Sequence, residues 1–310
     1  MIARLAVIGV GLIGGSLARA LRGAGAVDEV VGCGRSVANL ERAIALGVID
    51  RFTQDPAQAV QDADLVFIAV PLGAMRDTFS AIRGRLRDDA VVTDGGSVKG
   101  SVVADAQAVF GGVPAWLVPG HPIAGAERSG VEASDPMLYR DRRVILTPLP
   151  GTDSVALDRV TRMWHKCGAQ VTTLDVTHHD QVLAATSHLP HMLAFGLVDT
   201  LARLREHDEI FRYAAGGFRD FTRIASSDPV MWRDICIANR EPLGEVLQRF
   251  STEMTNLAAT IRGGSGDRLL EIFRRAKAAR DSYVDGVGIG AEEVGSRLAP
   301  GSLRDPHLYK

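Results

Sequence analysis

The chain has 310 residues, more than one hydrophobic core usually organises, so two domains are expected. Hydrophobic residues at 46% and charged residues at 23% exclude a disordered or fibrous chain. With 35 Lys+Arg against 37 Asp+Glu there is no overall positive field to draw nucleic acid. Three cysteines, Cys33, Cys167 and Cys236, are odd in number and lack metal-type spacing, which argues against a disulfide framework or a zinc site and fits a reducing, cytoplasmic setting.

The opening Met1-Ile2-Ala3-Arg4-Leu5-Ala6-Val7-Ile8-Gly9 lacks the basic start and long apolar run of a secretory signal and reads as a buried first strand. No stretch reaches the roughly 18 apolar residues of a membrane span, so no membrane partner is expected. Short β-branched runs follow at residues 5–8, 29–32, 65–70, 90–93, 116–118, 143–147 and 169–173. Between the early ones, residues 12–21 and 39–46 carry apolar side chains at helical spacing. Such alternation predicts an α/β fold, a parallel sheet with helices on both faces. The unbroken apolar run Leu65-Val66-Phe67-Ile68-Ala69-Val70 suits a central strand. After Asp175 the β-branched runs stop, and residues 181–204, 230–260 and 267–279 show spacings of three and four. The expected organisation is therefore residues 1–175 as the parallel-sheet α/β domain, 176–285 as an all-α domain and 286–310 as a loose, glycine-containing tail.

Gly9-Val10-Gly11-Leu12-Ile13-Gly14 follows the first strand and opens a helix. In a dinucleotide site the first glycine makes the turn, the second admits the pyrophosphate and the third lets helix and strand pack. The backbone N–H groups of Leu12 and Ile13 then face the phosphates at the helix N-terminus. Val70 and Pro71, where the third strand run ends, are expected to border the same cofactor. The second strand ends Val31-Gly32-Cys33-Gly34-Arg35-Ser36 without the carboxylate that usually binds the ribose hydroxyls of NAD. Arg35 could pair with a 2′-phosphate and Ser36 could add a hydrogen bond, which leans toward NADP without excluding NAD. Against this, Ser36 could simply cap the next helix, and Arg35 could be solvated or stack on adenine.

Three further blocks carry the chemistry: Thr93-Asp94-Gly95-Gly96-Ser97-Val98-Lys99-Gly100, the stretch from His121 to Gly130, and His179-Asp180 through Ser187-His188-Leu189-Pro190-His191. Ligands of open α/β sheets sit beyond the carboxyl ends of the strands, which places Ser97 and His121 toward a nicotinamide. A histidine there suits proton transfer from a substrate hydroxyl as hydride leaves the adjoining carbon. His178, His179 and Asp180 could suggest a metal, but no further ligand follows at zinc-like spacing and hydride chemistry needs none, so no metal is expected. On a helix, His188 and His191 would share a face, with Pro190 disturbing the local geometry.

Taken together, GVGLIGGS, DGGSVKG, HPIAGAERSGVE, HDQVLAATSHLPH and GGFRDFTRIASSDPVMWRDI closely resemble the prephenate/arogenate dehydrogenase family of tyrosine biosynthesis, in order from residue 5 to about residue 240. The resemblance implies a Rossmann-type domain followed by a helical dimerisation domain, and NAD(P)-dependent oxidative decarboxylation of prephenate, with arogenate as an alternative substrate. It makes His121 the catalytic histidine and Ser97 the serine supporting it. It makes His191 and Arg223 substrate-binding residues, Arg223 by gripping a carboxylate with its planar fork. Ser227 and Trp232 match substrate-contacting positions, although Trp232 could equally anchor a core. Glu127, Asp180 and Asp220 resemble an ionic network gating the site, and each could instead be an ordinary surface or capping carboxylate. The resemblance further implies a homodimer through the helical domain. The immediate first strand and the short stretch after the helices lead to the expectation of a short form without fused mutase or regulatory domains, in which any inhibition by tyrosine acts at the active site. Three other readings compete: an arogenate-specific dehydrogenase that makes tyrosine directly, a non-catalytic nicotinamide-sensing module, and a β-hydroxyacid-type dehydrogenase. The third is disfavoured because the helices offer no lysine between Lys166 and Lys277.

Overall fold

A computed structural model describes residues 1–126 and 128–286. Six strands form a parallel sheet in the order β3-β2-β1-β4-β5-β6: β1 (Ile2–Ile8), β2 (Val27–Cys33), β3 (Arg51–Thr53), β4 (Leu65–Ile68), β5 (Val91–Asp94) and β6 (Leu117–Val118). Side chains alternate across this sheet. Leu5, Val7, Leu65 and Phe67 enter one apolar cluster, while Ala6, Ile8, Val66 and Ile68 enter the other. All eight are almost wholly buried, so both faces need cover, as a parallel sheet requires. The cover comes from α1 (Leu12–Gly23), α2 (Val37–Ala45), α3 (Pro56–Ala59), α4 (Met75–Ile82), α5 (Lys99–Phe110) and α6 (Ser154–Lys166). The first half of the chain is thus the doubly wound α/β architecture that the alternation predicts.

Two strand runs leave the expected sheet. The segments at 143–147 and 169–173 become β8 (Arg143–Leu146) and β9 (Gln170–Thr173) of a second, three-stranded sheet, together with β7 (Gly120–Pro122). Strand β7 runs antiparallel to β8, pairing His121 with Ile145. His121 therefore sits within a short strand of its own, rather than in a loop past a strand end. Strands β3 and β7 are three residues each, too short to leave a periodic trace in the sequence.

The remaining elements are helical: α7 (Val176–Leu183), α8 (Leu189–Ala202), α9 (His207–Arg212), α10 (Gly216–Thr222), α11 (Pro229–Ala238), α12 (Arg240–Arg262) and α13 (Gly266–Gly286). The expected helix at 181–204 is interrupted by a π-helical turn, Ala184–His188, immediately before Pro190. Proline lacks the N–H for the normal ladder, and the backbone widens where that bond is missing. The expected helix at 230–260 breaks at Asn239, whose amide is drawn into bonds with Asp180 and His188.

Compactness divides the chain into Met1–Leu247 and a second unit starting at Gln248. The first unit extends well past the change of texture at Asp175, because α7, α8 and α11 are tied to the sheet region by buried contacts. Val98, in the loop after β5, packs with Trp232 and Ile235 of α11. Beyond Gly286, the tail expected at 286–310 lies outside the described residues.

Candidate active site

The chain winds outward from β1 in both directions, so the loops after β1 and β4 leave the sheet side by side. This is the crevice where open α/β sheets bind ligands. Three glycines there do three different things. Gly9 has φ +100°, and a Cβ on it would lie 2.3 Å from the Ala69 carbonyl oxygen after β4. A Cβ on Gly14 would lie 2.2 Å from the Gly9 oxygen and 2.7 Å from Val7. At Gly11 a Cβ would meet nothing within 4 Å. The first two glycines are required by the protein's own packing; the third borders open space at the N-terminus of α1. That terminus has no side-chain cap, so its first N–H groups, including those of Leu12 and Ile13, stay available to an anion. Val70 and Pro71 follow β4 on the neighbouring side of the crevice. This cradle fits a pyrophosphate.

At the end of β2, Arg35 is exposed and Ser36 caps α2, its hydroxyl accepting from the Asn39 N–H at 3.3 Å. The capping role left open by the sequence is therefore filled.

After β5 the chain makes a tightly bonded loop. Asp94 and Lys99 form a fully buried ion pair. Lys99 Nζ also donates to the Gly120 carbonyl at 2.6 Å, and Asp94 accepts from Gly96 N at 2.8 Å and Gly120 N at 3.1 Å. Burial pushes the Lys99 ammonium down and the Asp94 carboxylate opposes that shift. Both groups of the pair are satisfied, and together they hold Gly120, the residue before His121, against the loop that carries Ser97. Ser97 itself is half-buried, and its hydroxyl makes no hydrogen bond among the described residues.

His121 is held from the helical side. Its Nδ1 lies 3.0 Å from His179 Nε2, and His179 Nδ1 lies 2.7 Å from Asp180 Oδ1. Asp180 in turn accepts from the Lys99 and Gly100 N–H groups, each at 2.8 Å, at the N-terminus of α5. Burial, followed by His179, Lys99 and His188, lowers His121 well below the ordinary histidine range, so it is a neutral base at physiological pH.

A second cluster surrounds Trp232. The His191 ring stacks on the indole, centroids 3.7 Å apart at 22°, and its Nδ1 donates to the Ser187 carbonyl at 2.9 Å. His188 approaches the same indole edge-on with centroids 6.1 Å apart, so both histidines do share a face across Pro190. Asn239 Nδ2 donates to His188 Nδ1 at 3.0 Å and to the Asp180 carbonyl at 2.9 Å. A neutral His188 then carries its proton on Nε2, and that buried N–H has no partner among the described residues, nor has Trp232 Nε1. Burial takes His188 down to about 4.

The helical half matches the family model described as "Prephenate dehydrogenase, dimerization domain" over residues 175–275, and the first half matches "Prephenate dehydrogenase, nucleotide-binding domain" over residues 17–173. A cyclohexadienyl dehydrogenase of Zymomonas mobilis is 39% identical over 280 residues, covering 89% of this chain and 94% of the relative. The chain belongs to the prephenate dehydrogenase family. It is accordingly an NAD(P)-dependent dehydrogenase. Among solved structures, the prephenate dehydrogenase of Aquifex aeolicus in complex with hydroxyphenyl propionate and NAD+ is 36% identical with a TM-score of 0.85, covering 91% of this chain and 99% of that one. An arogenate dehydrogenase of Synechocystis is 27% identical with a TM-score of 0.75, covering 90% and 99%.

Of the positions that the family resemblance singles out, the structure brings His121, Asp180, His191 and Trp232 into two adjoining clusters joined through Asn239 and His188. Arg223 is exposed at the start of a 3-10 turn, Arg223–Ser226, that packs against α8, the helix of His191. Ser227 closes that turn, donating from Oγ to the Ile224 carbonyl at 2.8 Å. Asp220 is exposed on α10, and Glu127 lies outside the described residues. Trp232 anchors the small cluster with Val98 and Ile235 and carries His191 on its face. Sequence reasoning missed Asp94, Lys99 and Asn239 as supports, and it set aside a metal role for His179 without assigning it another. The DGGSVKG block contained the first two, and only their burial reveals the pairing.

Proposed function

We propose that this dehydrogenase converts prephenate to 4-hydroxyphenylpyruvate by oxidative decarboxylation, accepting arogenate as an alternative substrate. The observation that carries this reading is His121, a neutral and hydrogen-bonded histidine on β7, whose neighbour Gly120 is bonded to Asp94 and Lys99 on either side of the Ser97 loop. When bound in that cradle, the nicotinamide supplies the hydride acceptor. The chain supplies the proton chemistry. As hydride leaves the ring carbon bearing the hydroxyl, the O–H proton passes to His121 and the carbon–oxygen bond becomes a carbonyl. Loss of the ring carboxylate as CO2 then aromatises the ring, and the oxygen takes the proton back as a phenol. No net proton is released, so His121 needs no channel to solvent for this step.

Ser97 supports the hydroxyl and nicotinamide with its unbonded hydroxyl. His191 and Ser227 border the substrate, and Arg223 grips a carboxylate. Trp232 gives the ring an apolar wall, Glu127 and Asp220 are proposed as acidic members of an ionic network gating the site, and Asp180, buried against the start of α5, enters that network through His179. NADP is the favoured cofactor because residues 33–36 offer Arg35 where NAD sites usually offer a carboxylate. A homodimer through the helical region is supported by Met254, Ile261, Leu270 and Phe273, which are exposed apolar side chains. Tyrosine is proposed to compete at the active site. A cytoplasmic location is supported by three free cysteines. Among the described residues, no helix is long and apolar enough to cross a membrane.

Initial rates of absorbance gain at 340 nm with prephenate and arogenate, each with NAD and NADP, test the reading. We expect turnover of prephenate, and a higher kcat/KM with NADP. Turnover of arogenate alone would make the enzyme arogenate-specific, and silence with both substrates and both cofactors would overturn the assignment.

A further inference from the structure

His179 is completely buried, and the reaction as derived above gives it no part. Its ring nonetheless joins two groups that matter. Nδ1 faces the Asp180 carboxylate at 2.7 Å, and Nε2 faces His121 Nδ1 at 3.0 Å. With both rings neutral, the hydrogen-bonding capacity of these groups leaves one arrangement. A carboxylate only accepts, so the proton between His179 and Asp180 belongs to His179 Nδ1. A neutral imidazole has a single N–H, so His179 Nε2 must accept. His121 Nδ1 must then donate, which leaves the lone pair of His121 on Nε2.

We infer that His179 is a positioning residue for the proposed reaction: through the hydrogen bond to His121 Nδ1 it fixes the His121 tautomer in which Nε2 is the base. This goes beyond the proposed function and rests on it only for its kinetic test. The arrangement is anchored in the sheet-side domain. Asp180 is held by two backbone N–H groups at the start of α5, and a Cβ on Gly100 would lie 2.8 Å from its Oδ2, so residue 100 makes room for the carboxylate. The charged and titratable groups around His121 are His179 and Asp180 from α7, Lys99 from α5, Asp94 from β5 and His188 from the π turn. Lys99 sits beneath Gly120 as a fixed positive neighbour and disfavours a protonated His121. A base kept neutral in that field is useful only if its lone pair points to the substrate side, and His179 makes that choice.

Two replacements separate positioning from simple packing. A glutamine at 179 can still donate to Asp180 with its amide nitrogen and accept from His121 with its amide oxygen; a leucine can do neither. His179→Leu should lower kcat about 100-fold or more, on the scale known when a histidine tautomer is mis-set, with cofactor Kd changed less than about threefold. Its acid limb of kcat against pH should move downward, because the acceptor for the Nδ1–H of a protonated His121 has gone. His179→Gln should recover at least about tenfold of the lost kcat. A folded His179→Leu enzyme with kcat within about threefold of the parent, or a glutamine variant no better than leucine, would overturn the inference.

A measurement on the unaltered protein needs neither substrate nor variant. In ¹⁵N-histidine-labelled enzyme, the His121 resonances, assigned by their loss in His121→Asn, should report a protonated Nδ1 and an unprotonated Nε2 at pH 7. The opposite tautomer would overturn the inference whether or not prephenate is the substrate. The expected tautomer combined with an enzyme inert to prephenate and arogenate would leave the positioning intact and place the failure in the proposed substrate.

Discussion

The cofactor cradle follows β1 of the six-stranded sheet, whereas His121 lies in the second sheet, bonded through Gly120 to Asp94 at the end of β5, and the two sites are made of different material. At residues 9–14 the work is done by backbone: N–H groups at a helix end, and glycines whose missing side chains leave room. Around His121 it is done by side chains that come from β5, β7, α5, α7 and α11, most of them buried and each positioned by the next. The first site tolerates no added atoms at Gly9 and Gly14, but it has no titratable group to mis-set. The second depends on which nitrogen holds a proton. A backbone site is local and steric, whereas a side-chain relay is long-range and electrostatic, so the two should fail in different ways.

The largest effect should come from the relay. His121→Asn removes the base and should lower kcat by roughly 10²–10⁴-fold, while fluorescence titration should find the nicotinamide cofactor bound almost as before. A parallel loss of cofactor affinity would show that the two regions are not separable.

Next in size is Gly9→Ala. Alanine would combine a left-handed backbone with a Cβ 2.3 Å from a carbonyl oxygen, and the cost should be at least about 3 kcal/mol of folding stability in urea denaturation. Here the fold fails before the chemistry does.

The third effect belongs to the relay side alone. His188 is lowered to about 4 from the ordinary 6.5, so between these values the unfolded chain binds more protons than the folded one. Stability from keeping His188 neutral is present above about pH 6.5 and is lost as the pH falls toward 4. A full shift of this size corresponds to about 3 kcal/mol. Urea midpoints from pH 7 down to 4.5 should fall less steeply in His188→Gln than in the parent.

The smallest effect sharpens the comparison within the cradle. Gly11 has ordinary extended backbone and open space where a Cβ would stand, so Gly11→Ala should fold normally. It should weaken cofactor binding about tenfold, or about 1.4 kcal/mol, in the same titration.

The same contrast explains what could be read from the residues in order. The cradle was legible because its parts are contiguous: an apolar strand, three spaced glycines and a helix fit within residues 2–23. The alternation that gives the parallel sheet was legible for the same reason, each strand and each helix carrying its own periodicity. His121 stood out by residue type and neighbours, and the family motifs assigned it a role. Its strand did not stand out, since three residues cannot show a period and β7 exists only because β8 pairs with it. Trp232 was open to two readings, and packing shows the core one.

By itself, then, the amino-acid order determined the α/β class, the glycine cradle, the change to helices after Asp175 and the family to which the chain belongs. These rest on short-range geometry and on motifs, which survive being written in one dimension. Only the tertiary structure decided that His179, 58 positions from His121, is its ring partner, that Asp180 seats on the start of α5, and that Lys99 and Asp94 hide a charge pair beneath Gly120. Each of these is a contact between elements distant in sequence, made worthwhile by exclusion of water. The residue types permitted them, and burial selected them.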